Sequence, residues 1–146
     1  MSGRILALDP GERRIGLALS DPTGIIASPY AVIDRRTDDV AQRLQRICRD
    51  EDVSRIVVGL PVTLDGREGQ AAAAARELAR LAAEATDLDV ILHDERFSTV
   101  TAEQALLEGG MRRAERREVR DKVAAAVLLQ SYLDGERRER IGGDDG

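Results

Sequence analysis

Aromatic residues make up only 2% of this chain and tryptophan is absent, so a core has to be aliphatic, built from Ala, Leu, Val and Ile. Cys48 is the sole cysteine. A single thiol excludes an internal disulfide and a cysteine zinc cage, and it reads as a core residue of a cytoplasmic protein. Histidine is as scarce: His93 stands alone, which leaves no material for a Ser-His-Asp or Cys-His nucleophilic arrangement. No wholly apolar run approaches the roughly 20 residues of a membrane-spanning helix. The N-terminus also lacks the basic-then-apolar pattern of a secretory signal, so no membrane partner is expected.

What the chain does have is charge. Charged residues are 34% of the 146, with a formal net charge of −5, which argues against indiscriminate binding to nucleic acid. The positive charge is nearly all arginine, with Lys122 the only lysine, and arginine is the better bidentate partner for phosphate. The length suits one domain with a proper core.

Hydropathy patterning predicts βββ-α-β-α-β-α-α. Residues 4 to 9 and 15 to 20 read as two strands around a Pro-Gly turn, and 25 to 34 as a third, forming an antiparallel meander. Val40, Leu44, Ile47 and Cys48 share a helical face after an N-cap within Thr37 to Asp39. A buried strand follows at 55 to 61, then an Ala-rich helix with Leu78 and Leu81 on its stripe, then a strand at 87 to 95. A helix with a Thr101/Gln104 capping box and a Gly stop, and a last helix at 118 to 133, complete the set. Strands reached through helices run parallel to a neighbour, so the fold class is α/β with a mixed five-stranded sheet flanked by helices. One domain is expected over 1–134, with 135–146 a disordered tail.

Three carboxylates stand out. Asp9 ends the first strand in "RILALDPGERRIGLALSD", on the face of Ile5 and Ala7. Pro10 keeps it extended and Gly11 permits a sharp turn. It therefore sits at the carboxyl edge of the sheet, where open α/β sheets place ligands, unless it only opens an Asx turn. In "HDERFST", Asp94 and Glu95 point to opposite faces, and only one of them can share a site with Asp9. The relative phase of the strands decides which, and alternation leaves it open, as it leaves open a salt bridge to Arg96 or a helix cap. Asp121 shares a helical face with Ala124, Ala125 and Leu128, and the Ala run lets that helix lie close to the sheet. The alternative is a solvent-facing Asp121 paired with a nearby arginine. Three converging carboxylates repel one another unless divalent cations sit between them, and all-oxygen donors suit Mg²⁺ or Mn²⁺. Two such ions about 3.5–4 Å apart activate water and stabilise a departing alkoxide.

The blocks "LDPGERRIGLALSD", "VVGLPVTLDGREG", "DERFST" and "DKVAAAVLLQSYL" resemble, in order and spacing, the signature blocks of the bacterial YqgF/RuvX family, over roughly residues 4 to 133. The resemblance implies an RNase H-like fold and a metal-dependent endonuclease hydrolysing phosphodiester bonds in structured nucleic acid. Pre-16S ribosomal RNA is the first implied substrate and four-way DNA junctions the second. It also implies that Asp9, Glu95 and Asp121 hold Mg²⁺ or Mn²⁺, with Asp9 bridging, and it favours Glu95 over Asp94. A non-catalytic nucleic-acid-binding module is the remaining rival; an actin-like ATPase would need a second domain that this length does not provide.

For substrate, residues 109 to 122 carry Arg112, Arg113, Arg116, Arg117, Arg120 and Lys122 against Glu115, Glu118 and Asp121. This patch reads as a track for the phosphate backbone, or else as a solvated loop of Arg–Glu pairs. Arg13 and Arg14, after the first strand, are further phosphate candidates. The stretch "GLPVTLDGREG" reads as a mobile loop, and His93 as structural rather than as a base. Junction cleavage calls for a homodimer; RNA processing does not exclude a monomer.

Overall fold

A computed structural model describes residues 3–61, 68–94 and 113–143, with the side chains of 113–115 and 139–143 excepted. The described elements are β1 (Arg4–Pro10), β2 (Arg14–Ser20), β3 (Ala27–Asp34), α1 (Val40–Asp50), β4 (Val53–Leu60), α2 (Gln70–Thr86), β5 (Asp89–Asp94) and α3 (Arg113–Gly143). The expected helix near 101 to 110, with its capping box, and most of the loop after Pro61 lie outside the described residues. Strand order is β3-β2-β1-β4-β5. The β1–β2 and β2–β3 pairs are antiparallel, while β1–β4 and β4–β5 are parallel, so the sheet is mixed as expected and β1 is central.

The two faces of the sheet differ in side-chain size, and β2 shows why. Its alternation "RIGLALS" sends Ile15, Leu17 and Leu19 to one side and Gly16, Ala18 and Ser20 to the other. The large face packs under α1 and α2 through Leu6, Leu8, Leu44, Ile47, Ile56 and Leu78. The small face packs under α3, where Ala7, Ala18 and Val57 meet Ala125, Leu128, Leu129, Tyr132 and Leu133. Small residues on the sheet side bring α3 close.

Local chemistry sets the element ends. Asp39 caps α1, its carboxylate accepting from the Gln42 N–H at 3.1 Å. Strand β3 begins at Ala27 rather than 25 because Asp21 captures the Ile25 and Ile26 N–H groups at 2.8 and 2.9 Å. Those bonds, with that from the Thr23 hydroxyl as the largest contribution, hold the Asp21 carboxyl well below the usual carboxylate range. On α2 the buried stripe is Ala72, Ala75, Leu78 and Ala82. Leu81, expected on that stripe, is 39% exposed, because the stripe advances by three and four residues and passes over it.

Helix α3 differs most from expectation. It begins at Arg113 instead of 118 and continues to Gly143, past the end expected at 133 and into the segment expected to be a disordered tail. That extension carries no apolar stripe. It is supported by i,i+3 and i,i+4 pairs: Arg137 meets Asp134 at 2.8 Å, and the Tyr132 hydroxyl donates to Glu136. At 1.5 Å per residue the helix is about 46 Å long. It packs over β1, β2 and β3.

One buried polar contact secures the start of β1. The β1–β4 ladder shifts register between Arg4 and Ile5, and the Ile5 N–H donates to Ser20 Oγ at 2.8 Å. Ser20 is buried. Ser20→Ala should cost about 1–3 kcal/mol in urea unfolding, because a buried donor loses its acceptor. Among the described residues, no helix is long and apolar enough to cross a membrane.

Candidate active site

The site begins with one glycine. Asp9 pairs with Gly16 across β1 and β2, so their Cα atoms are about 4.5–5.5 Å apart. Asp9 shares the face of Ala7, which is buried under α3, so its side chain is directed to the α3 side of the sheet. On α3 the buried residues Ala125, Leu128, Leu129, Tyr132 and Leu133 form a stripe, and Asp121 lies one turn before it on the same line. The two elements meet backbone to backbone. A Cβ on Gly16 would stand 2.0 Å from the Asp121 carbonyl oxygen and 2.5 Å from its carbonyl carbon. Only glycine permits that approach, and it sets Asp121 on the sheet one strand away from Asp9.

Arg14 completes this corner. It precedes Gly16 by two residues on the same face of β2, and its Nε donates to Asp121 Oδ2 at 2.8 Å. Both side chains are a little over a quarter exposed, at 28% and 27%. The alternative of an arginine-paired Asp121 is thus met in part: the partner exists, but it comes from β2, 107 residues away, and Asp121 stands over the sheet.

The structure also settles the phase of β5. Ile91 packs with the α3-side cluster, while Val90 and Leu92 pack on the opposite face. His93 therefore faces α3. Its Nε2 lies 3.2 Å from Ser131 Oγ, and its ring meets Tyr132 edge-on at 5.6 Å. Burial pushes its pKa below the ordinary value, against the opposing charge of Asp94, so the ring is neutral at neutral pH. Asp94 pairs with Leu60 on the other face, and the sheet separates it from Asp9. Glu95, the third acid of the expected triad, lies outside the described residues.

Across the sheet, Leu8 pairs with Val58 and Gly59 with His93, so the next step of the ladder puts Asp9 beside Gly59. Gly59 belongs to β4 rather than to the loop beyond it. It leaves no side chain on the α3 face between Asp9 and His93, about 10 Å apart at two strand spacings. Two carboxylates beside such a gap form an oxygen donor set of the kind that Mg²⁺ and Mn²⁺ take. Among the described residues no three His, Cys, Asp or Glu side chains gather closely enough to hold a metal. Asp9 and Asp121 are the two described carboxylates at this corner.

Of the arginines expected to meet substrate, Arg117 and Arg120 are exposed on the first turns of α3, Arg116 is half-buried there, and Arg13 is exposed at the β1–β2 turn. Arg14 is engaged with Asp121 rather than presented to solvent alone. Arg112 and the Arg113 side chain lie outside the described residues. Cys48 is buried, and burial pushes its thiol up to about 11, as fits a core residue with no nucleophilic role.

The sequence profile of RuvX, described as Holliday junction resolvase, matches residues 3–135. The chain belongs to the RuvX family. A relative in Fusobacterium nucleatum subsp. nucleatum is 47% identical over 133 residues, covering 90% of this chain and 96% of its own, and bears the name "Putative pre-16S rRNA nuclease". A relative of the same name in Nocardioides sp. is 45% identical over 141 residues, covering 93% and 90%. Among solved structures, T. thermophilus RuvC in complex with Holliday junction substrate superposes with a TM-score of 0.53, covering 90% of this chain and 96% of that one at 13% identity. At that identity the likeness concerns the fold alone, and it agrees with an RNase H-like sheet.

Two features of the site escaped sequence reading: Gly16 and the Arg14–Asp121 pair. The first had a signal. A glycine inside a strand, followed at alternate positions by Ala18 and Ser20, marks a face built for close backbone approach. The second had none, because the partners are 107 residues apart.

Proposed function

We propose that this RuvX-family protein is a metal-dependent endonuclease hydrolysing phosphodiester bonds in structured RNA, acting at the 5′ end of pre-16S ribosomal RNA in the cytoplasm. The observation that carries it is the seating of Asp121 on Gly16 beside Asp9, which brings two distant carboxylates to one edge of the sheet. The relatives' name supports the substrate. Glu95 is proposed as the third acid: β5 turns His93 toward α3 and Asp94 away, so alternation supports Glu95 over Asp94.

Asp9, Glu95 and Asp121 would hold Mg²⁺ or Mn²⁺, which would supply an activated water and charge stabilisation for the departing oxygen. The chain's own part is positioning. Asp9, held extended before Pro10, and Asp121, held by backbone contact, present oxygens at fixed places. The turns of α3 before Asp121 carry Arg116, Arg117 and Arg120, the contacts we assign to a phosphate backbone. Replacing Arg117 and Arg120 together by Gln should weaken RNA binding and flatten the plot of log affinity against log salt by about one unit per lost phosphate contact, measured by fluorescence anisotropy. An unchanged slope retires the patch.

A second reading, resolution of four-way DNA junctions, draws on the family's description. It needs a symmetric homodimer to cut two strands. The decisive experiment offers the protein precursor 16S RNA and a four-way DNA junction, each with Mn²⁺ and with chelator. Metal-dependent cleavage of the RNA by a monomer supports the first reading; paired cuts in the junction by a dimer support the second; cleavage that persists in chelator overturns both.

A further inference from the structure

The Arg14–Asp121 pair places a cation directly on a proposed metal ligand. The contact runs from Nε to Oδ2 at 2.8 Å, with both side chains partly open to water. Arg14's neighbour across β2 and β3 is Asp34. That carboxylate already accepts the Arg36 N–H at 2.9 Å through Oδ1. The guanidinium Nε meets Asp121 on the helix.

We propose that Arg14 holds Asp121 while no divalent ion is bound, and that metal binding releases the guanidinium to take a phosphate oxygen of the nucleic acid. This rests on the metal-site reading above and goes beyond it by giving the site an order: metal first, then substrate. Three physical arguments carry it. A half-open ion pair between side chains contributes little, so a divalent cation shared among carboxylates displaces it readily. Once the ion is in place, a guanidinium left on the same carboxylate faces a double positive charge at close range. The anion that a substrate brings to this edge is phosphate, which the planar fork of arginine suits. Before metal binds, Arg14 also offsets the mutual repulsion of the acids, so the empty site keeps its shape.

Release of Arg14 makes metal and nucleic acid mutually strengthening ligands, each raising the affinity of the other by the same factor. Neutralising Arg14 removes the competitor, so Arg14→Gln should bind Mn²⁺ about three- to fivefold more tightly than the wild type, the worth of a partly exposed ion pair. The same variant should lose most of the metal-dependent gain in RNA affinity.

The test uses three readouts that do not depend on turnover. First, the Nε–H resonance of Arg14, assigned by its loss in Arg14→Gln, is followed by ¹⁵N NMR while Mg²⁺ alone is added. It should be protected without metal and lose that protection at saturation. Second, Mn²⁺ is titrated calorimetrically into the wild type, Arg14→Gln and Asp121→Asn. Third, anisotropy of a labelled stem–loop RNA is read with and without Mg²⁺, and a gel confirms that the RNA is intact at the time of reading. A resonance that stays protected at saturating Mg²⁺, or an Arg14→Gln affinity for Mn²⁺ equal to or below wild type, overturns the handover and makes Arg14 a fixed support of Asp121. Either result leaves the metal site standing. Wild-type Mn²⁺ affinity in Asp121→Asn instead removes the metal-site reading itself.

Discussion

Asp9→Asn and Asp121→Asn should each lower metal-dependent RNA cleavage about a thousandfold while leaving the protein folded. A bound divalent ion contributes several kcal/mol of transition-state stabilisation, and about 4 kcal/mol corresponds to three orders of magnitude in rate. Asparagine keeps the shape and one oxygen but loses the charge that holds the cation. The folding cost is small at both positions. Asp9 lies one residue before the end of β1, beside a turn, and asparagine keeps its hydrogen-bonding oxygen while removing the charge. Asp121 loses its charge pairing with Arg14, but that pair is partly exposed and contributes little. Single-turnover cleavage of precursor RNA at saturating Mn²⁺, with circular dichroism to confirm folding, checks both variants. Activity within tenfold of wild type in either one removes that carboxylate from the site.

Gly16→Ala should also lower cleavage, by a different route. The added Cβ would fall 2.0 Å from the Asp121 carbonyl oxygen, and the obstructing atoms are backbone, which cannot rotate aside. Helix α3 must lift from β2, in a contact continuous with Ala18, Ala125 and Leu128. Overpacking of this kind costs about 1–3 kcal/mol, and more where backbone has to move. For a chain of about 150 residues that lowers the melting temperature by roughly 2–4 °C per kcal/mol. Cleavage should fall further than stability does, because a displacement near 1 Å at a catalytic group costs about a hundredfold. Thermal melts and cleavage rates below the transition separate the two effects. Ala18→Gly on the same face opens space instead of closing it, and should spare the carboxylate geometry while costing some stability. A Gly16→Ala protein with native melting and native rate means that α3 does not rest on β2 as described.

These expectations show how unevenly the site was written into the chain. Asp9 was legible from its own neighbourhood: an apolar run, one carboxylate, then Pro-Gly. So was the alignment of Asp121 with Ala125 and Leu128, which needs only the helical repeat. The ends of α3 were not, because beyond Leu133 the helix is held by ion pairs such as Arg137–Asp134 and carries no hydrophobic period. Leu81 was misplaced for a related reason: in so alanine-rich a helix the small residues carry the buried stripe, and a lone leucine is a poor guide to it.

The sequence by itself determined the kinds of the described elements up to Leu133, the residues that share a face within each, and which carboxylates are candidates for a site. Those follow from periodicities of 2 and 3.6 residues and from turn and capping chemistry, all properties of neighbours along the chain. Only the tertiary structure decided that Asp121 rests on Gly16 next to Asp9, that β5 turns His93 toward α3 and Asp94 away, and that Arg14 reaches Asp121. The phase of one element against another is set by ladder register and by packing between segments far apart in the chain, and a local pattern carries no record of either.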